Sequence, residues 1–176
     1  MKDKFLQQTK REYSPNQRLA ALAVEGVFFL VIAPFVLITL GSSLDQWLQW
    51  SPIRYEPINL ILGGLLCVAS WLLGLWANYA QFTLGRGTPV PLMATQKLIV
   101  EPPYTYCRNP MALGAIGMYL GVAIVFGSIG AVVLVLLGAA VLLTYIKRVE
   151  EKEMELRFGQ EYLAYKQRTP FLIPHR

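Results

Sequence analysis

Four carboxylates stand within six residues, Glu150, Glu151, Glu153 and Glu155, immediately after a long uncharged stretch. If burial raises the pKa of one member, such a cluster can act as a general base or hold a cationic or hydroxyl-bearing ligand. It can equally be a solvated charged face, because Lys147 precedes Glu151 by one helical turn and can pair with it. A second group is Arg108-Asn109-Pro110-Met111, where the chain returns to apolar sequence. Pro110 suits the first position of a helix and Asn109 its N-cap. A helix N-terminus beside a guanidinium can receive a carboxylate or a phosphate, and the same residues also read as a cap with a charged anchor. Gly85-Arg86-Gly87 permits close backbone approach, but it lacks the third glycine and the preceding strand of a dinucleotide fingerprint. Cys67, Cys107 and His175 have no metal-ligand spacing, so neither a metal site nor a disulfide is expected.

The elements that must position these groups are apolar. The chain has 176 residues, 55% hydrophobic and only 15% charged, which is too few charges for an ordinary soluble domain, where about a quarter are charged. Leu19–Leu40 carries one charge, Glu25, while Ile58–Phe82 and Asn109–Ile146 carry none. Runs of about 18 or more uncharged apolar residues read as membrane spans. The third run is too long for one crossing. Its 38 residues would extend about 57 Å as a helix, against a hydrocarbon core of about 30 Å. Gly127-Ser128 near its middle offers a turn. The fold class expected is therefore an all-α membrane protein, one membrane domain over residues 1–176. Its four spans fall near 19–40, 58–82, 111–126 and 129–146, the last two forming a tight hairpin.

Of the 16 Lys and Arg residues, only Arg54 falls in the connection after the first run. The other fifteen fall in the N-terminal segment, the 83–110 connection and the 147–176 tail, which places both termini and that connection in the cytoplasm. The net charge of +5 follows from this bias and requires no nucleic acid. A polar stretch precedes the first span and no short apolar region ends in small residues, so no cleavable signal peptide is expected. Trp47, Trp50 and Tyr55 suit an interfacial aromatic belt. Gly117-x-x-x-Gly121 suits helix packing. Glu25, a carboxylate inside a span, is expected to snorkel or to bond Asn78 or Gln81. The Gly- and Pro-rich 83–110 segment cannot be one helix, and an extended stretch fits Leu98–Val100. The tail reads as a helix leaving the membrane, a break near Gly159, a short helix and an extended Pro170–Pro174.

Taken in order, these pieces resemble the membrane methyltransferases of the isoprenylcysteine carboxyl methyltransferase and phospholipid N-methyltransferase superfamily, over roughly residues 58–175. The resemblance rests on Gly85-Arg86-Gly87, Leu98-Ile99-Val100, Tyr104, Arg108-Asn109-Pro110-Met111-Ala112-Leu113-Gly114 and Glu150-Glu151. Phe158-Gly159-Gln160-Glu161-Tyr162-Leu163-Ala164-Tyr165, Arg168 and Pro170-Phe171-Leu172-Ile173-Pro174 complete it. Asn109 stands where the family usually has His, Ala112 where Tyr is common and Pro103 where Gly is frequent.

The resemblance implies S-adenosylmethionine as cofactor, held on the cytoplasmic side between the 83–110 loop, the hairpin and the tail. Gly85 and Gly87 would allow backbone approach, Leu98 and Ile99 would border the adenine, and Tyr104 and Pro110 would belong to the cofactor-binding set. Arg108, Asn109 and Glu150 or Glu151 would hold the amino-acid and ribose parts, while Tyr162 and Arg168 would close the pocket. Methyl transfer from a sulfonium is an in-line displacement, so alignment and exclusion of water dominate. Arg108, Glu150 and Glu151 are the catalytic candidates, one Glu taking a proton if the acceptor is an amine. A lipid-like acceptor would enter from the bilayer. The expected setting is a prokaryotic inner membrane rather than the endoplasmic reticulum. Two other readings stand beside this one: a sterol-reductase-like NADPH enzyme, which the single short loop disfavours, and a non-catalytic protein that kept the fold.

Overall fold

The computed structural model of the protein describes residues 14–53, 55–85 and 97–173. Helix α1 (Pro15–Val27) opens with a capping box in which Ser14 accepts from the Gln17 N–H and Gln17 accepts in return from the Ser14 N–H. A π turn, Phe28–Ile32, joins it to α2 (Ala33–Trp47). Its cause is local. The Ala33 N–H reaches back to the Phe28 carbonyl, and Pro34 has no N–H to offer the carbonyl of Phe29. That carbonyl accepts from the Tyr119 hydroxyl, 3.0 Å away on another helix.

Helix α3 (Ile58–Ala80) continues through a second π turn, Gln81–Gly85. Helix α4 (Pro110–Phe126) has Pro110 in its first turn. It ends at Gly127, whose φ of 63° lies in the left-handed region that favours glycine. Ser128 then caps α5 (Ile129–Tyr145), accepting from the Ala131 N–H at 3.0 Å. The expected split of the third apolar run at Gly127-Ser128 is therefore present. A π turn, Ile146–Glu150, carries α5 into α6 (Glu151–Phe158), and Gly159, at φ 54°, separates α6 from α7 (Gln160–Arg168).

Among the described residues, three continuous helices are long and apolar enough to cross a membrane, Leu19–Trp47, Ile58–Gly85 and Ile129–Phe158, and a shorter apolar helix spans Pro110–Phe126. Among the described residues there is no strand. Leu98–Val100 has no regular structure and pairs with nothing as a strand. The first apolar helix also overruns its expected end at Leu40 and reaches Trp47. Ser43 and Thr39 hydroxyls return to the carbonyl one turn back, so polar side chains there do not stop the helix.

Lipid tails give helices no hydrophobic reason to associate, so close backbone approach through small residues holds the bundle. Helices α3 and α4 form the most extensive pair. A Cβ on Gly121 would strike Cys67 and the Gly63 carbonyl, and one on Gly117 would strike the Ser70 side chain. Gly117-x-x-x-Gly121 is thus a packing face, as its spacing predicts. Helices α2 and α5 meet through Gly41 and Ala131 in the same way. One polar device reinforces this second contact. Asp45, only 6% exposed, accepts from Ser128 Oγ and from the Gly130 N–H, each at 2.6 Å. The end of α2 thereby caps the start of α5.

Candidate functional site

At the opposite end of the bundle, the 97–109 loop, the start of α4 and the tail close on one another. The Arg108 N–H donates to the Pro170 carbonyl at 2.9 Å. Asn109 Nδ2 donates to the Phe171 carbonyl at 2.8 Å, and the Tyr165 hydroxyl donates to the Tyr104 carbonyl at 2.7 Å. The chain after α7 is thus a strap across the residues that open α4. Asn109 does occupy the N-cap position, but its side chain makes no cap hydrogen bond. Its amide donates to the strap instead.

Charge gathers beneath the strap. Arg108 Nη1 lies 2.7 Å from Glu151 Oε1, with the two side chains 11% and 5% exposed. The contact is a close ion pair without hydrogen-bond alignment, and Arg108 Nε has no hydrogen-bond partner among the described residues. The guanidinium also sits over the Phe171 ring, 5.6 Å from its centre. Lys166 Nζ lies 2.7 Å from Glu151 Oε2 and 2.9 Å from Glu155 Oε1, which holds the lysine in its charged form and its pKa above the ordinary value. Arg157 pairs with Glu153.

The crowding of carboxylates is therefore relieved by cations of the same chain. Lys147 is not the partner of Glu151. The π turn at Ile146–Glu150 lies between them, with the Glu151 N–H reaching back to the Ile146 carbonyl, and this wide turn removes the one-turn spacing on which the Lys147 pairing rested. Glu150 differs from its neighbours. It is half-buried, and no ion pair or hydrogen bond holds its carboxylate among the described residues. Burial first, and the nearby Glu153 second, push its pKa above the ordinary carboxylate value.

Aromatic side chains seal the cluster. Tyr104, Tyr162 and Tyr165 are all buried. Burial raises the Tyr162 pKa, the Glu151 charge adds to the rise, and Arg108 and Lys166 oppose it. Burial likewise raises Tyr104 and Tyr165, so all three stay neutral hydroxyls at neutral pH. Ile99 and Tyr104 pack with Ala77 and Ala80 of α3 and with Met111, which fixes the loop to two helices.

Of the residues singled out from the sequence, Arg108, Glu151 and Tyr162 form the buried cluster, with Glu150 beside Glu151. Asn109, Pro110, Tyr104 and Ile99 frame it. Leu98 is half-buried beside Ile99, and Gly85 is buried at the end of α3. Arg168 is exposed at the end of α7. Gly87 lies outside the described residues. Glu25, at 6% exposure, is buried rather than snorkelling. Lys166 was not anticipated. Its signal was faint, a lysine one turn after Tyr162 in a helix whose partner carboxylates lie before a glycine break.

A multi-pass helical bundle with a strapped, buried ion cluster at one end is the class this fold and site define. The chain belongs to the phospholipid methyltransferase family, whose model matches residues 58–161. These residues run from the start of α3 into α7, and they include the loop, the hairpin and the Glu pair. Helices α1 and α2 lie outside the match. Comparison with curated proteins finds no match. Membership makes the chain a membrane methyltransferase in general terms.

Proposed function

We propose that this chain transfers a methyl group from S-adenosylmethionine to a lipid-like acceptor, at the face where the 97–109 loop, the start of α4 and the α6–α7 tail meet. The observation that carries the reading is Arg108. Its guanidinium is buried, yet Nε lacks a hydrogen-bond partner among the described residues and Nη1 is poorly aligned with Glu151. Leaving such donors unmet is costly unless a ligand completes them. A carboxylate is the natural complement, and it would sit beside the N-terminus of α4.

Arg108 would hold the donor's carboxylate, with Glu151 and Lys166 fixing the guanidinium's position. Gly85, Gly87, Leu98, Ile99, Asn109 and Pro110 would shape the walls. When bound, S-adenosylmethionine supplies an electrophilic methyl group on a sulfonium. Tyr104, Tyr162 and Tyr165, buried together beneath the strap, exclude water. If the acceptor is an amine, it is cationic at neutral pH and must lose a proton, and Glu150 is the group poised to take it. Its raised pKa brings it nearer the working range of a base. The orientation that fits has this face in the cytoplasm and four spans, with α4 as the shortest. A lipid acceptor then arrives laterally and the polar donor from solvent.

Calorimetry of the purified chain with S-adenosylhomocysteine and with NADPH is the direct test. Binding of the former alone is expected, and binding of NADPH alone would overturn the reading. Incubation with labelled donor and total membrane lipid, followed by mass analysis, identifies the acceptor.

A further inference from the structure

Helices facing lipid have no need of a hollow, yet α2, α4 and α5 leave one. A cleft of about 260 Å³ lies between them, bounded by Ala33, Leu37, Ile116, Tyr119, Gly138 and Leu142 among others. Its lining is apolar. Tyr119 contributes the one hydroxyl, and that hydroxyl is spent on the Phe29 carbonyl. Only the lone pairs of that hydroxyl remain for a water, fewer than the two to four polar partners a held water needs, so the cleft suits an apolar occupant. Gly138 marks it as a space rather than a packing seam. A Cβ on Gly41, Gly63 or Gly121 would collide with a neighbouring helix, whereas a Cβ on Gly138 meets nothing within 4 Å.

Depth identifies the occupant. Leu142 precedes Glu150 by eight residues, about 12 Å of helix. The polar zone of a bilayer is only roughly 6 Å thick on each side of the hydrocarbon core. A lipid whose headgroup lies near Glu150 therefore has its acyl chains at the depth of this cleft. An empty hollow there would forfeit dispersion contacts that a hydrocarbon chain restores.

We infer that the cleft between α2, α4 and α5 holds one acyl chain of the phospholipid acceptor, and that α2, outside the family-matched residues, supplies the wall that selects it. The inference rests on the proposed lipid acceptor. It adds the site of the chain and assigns Ala33 and Leu37 to its selection.

The test uses the full chain in vesicles containing phosphatidylethanolamine with a diazirine on one acyl chain. After irradiation, labelled residues are mapped by mass spectrometry. Labelling is expected to concentrate on 33–37, 116–119 and 138–142, relative to Leu65 and Leu72 of α3, which are exposed. Gly138→Leu fills the cleft and should cut labelling there about tenfold while leaving α3 labelled, because side-chain atoms then occupy the chain's volume. Ala33→Leu, which fills it from the other wall, serves if the first variant fails to fold. Labelling no stronger in the cleft than on α3, or unchanged in both variants, overturns the inference. Transfer of labelled methyl to lipid is followed on the same vesicles. Cleft labelling without any methyl transfer supports the chain site and sinks the lipid acceptor. Methyl transfer without cleft labelling sinks the chain site alone.

Discussion

Glu150 and Glu151 are adjacent in sequence and opposite in circumstance. Glu151 is held by Arg108 and Lys166, so in the proposed site it would be a positioning group. Glu150 has no such partner among the described residues, and its pKa is raised mainly by burial. A base must be deprotonated to act, so methyl transfer to an amine should rise with pH through the raised pKa of Glu150. Glu150→Gln should remove that acid limb and lower the rate, which a pH–rate profile would show; an unchanged profile would dismiss Glu150 as the base. The same shift has a thermodynamic sign. The folded chain holds this proton more tightly than the unfolded one, so Glu150 costs stability as pH rises through the interval above the ordinary carboxylate value, and Glu150→Gln relieves that cost. For Arg108 a conservative change is the sharper probe. Arg108→Lys keeps the charge and the backbone bond to Pro170, but an ammonium has no planar fork to align two bonds. Affinity for S-adenosylhomocysteine, measured by calorimetry, should fall by something on the order of 1–3 kcal/mol. Wild-type affinity would return Arg108 to an anchoring role.

Among the elements, the strap and the Asp45 cap are the joints that fix one segment upon another. Glu151→Gln leaves Arg108 buried beside a neutral amide. Breaking a buried pair from one side costs roughly 3 kcal/mol, and hydrogen exchange should locate the loosening in the strap and the 97–109 loop. Asp45→Ala removes two bonds at the start of α5. A cap of this kind contributes about 1–2 kcal/mol, so the midpoint of thermal unfolding in detergent should drop; no change would mean that Ser128 alone suffices. These two joints also show where sequence stops speaking. The hairpin was legible because Gly-Ser interrupts a run too long to be one span, and the Gly159 break because glycine separates two helical patterns. Asp45 was not legible, since its partners lie more than 80 residues on and nothing local requires a carboxylate there. The partner of Glu151 was misread for a related reason. Spacing rules assume an α-helix, and the π turn at Ile146–Glu150 alters the register just before the cluster.

For the whole molecule, the proposed function makes orientation the decisive quantity, because the polar donor and the Glu–Arg cluster would have to share a compartment. With the four proposed spans, fifteen of the 16 Lys and Arg residues would fall on the side of the N-terminal segment, the 83–110 connection and the tail, and only Arg54 on the other. Moving a positive charge across a bilayer is opposed during insertion, so such a split sets which face stays inside. The C-terminal ends of α3 and α5 and the start of α4 meet at the cluster, while Trp47 and the Gly127 turn lie at the far end. Trp47 is 79% exposed there, as an aromatic anchor at the lipid–water boundary should be. The two native thiols, Cys67 and Cys107, are first replaced by alanine, and single cysteines are then placed at Ser51 and at Thr95. A membrane-impermeant maleimide applied to sealed cells should label Ser51→Cys and spare Thr95→Cys until the cells are opened. The reverse pattern would put the cluster on the outer face, away from a cytoplasmic supply of donor. Labelling at both positions would mean that the bundle does not hold a single orientation, and a charge-reversal series at Lys147 and Arg148 would then show whether the tail alone dictates the choice.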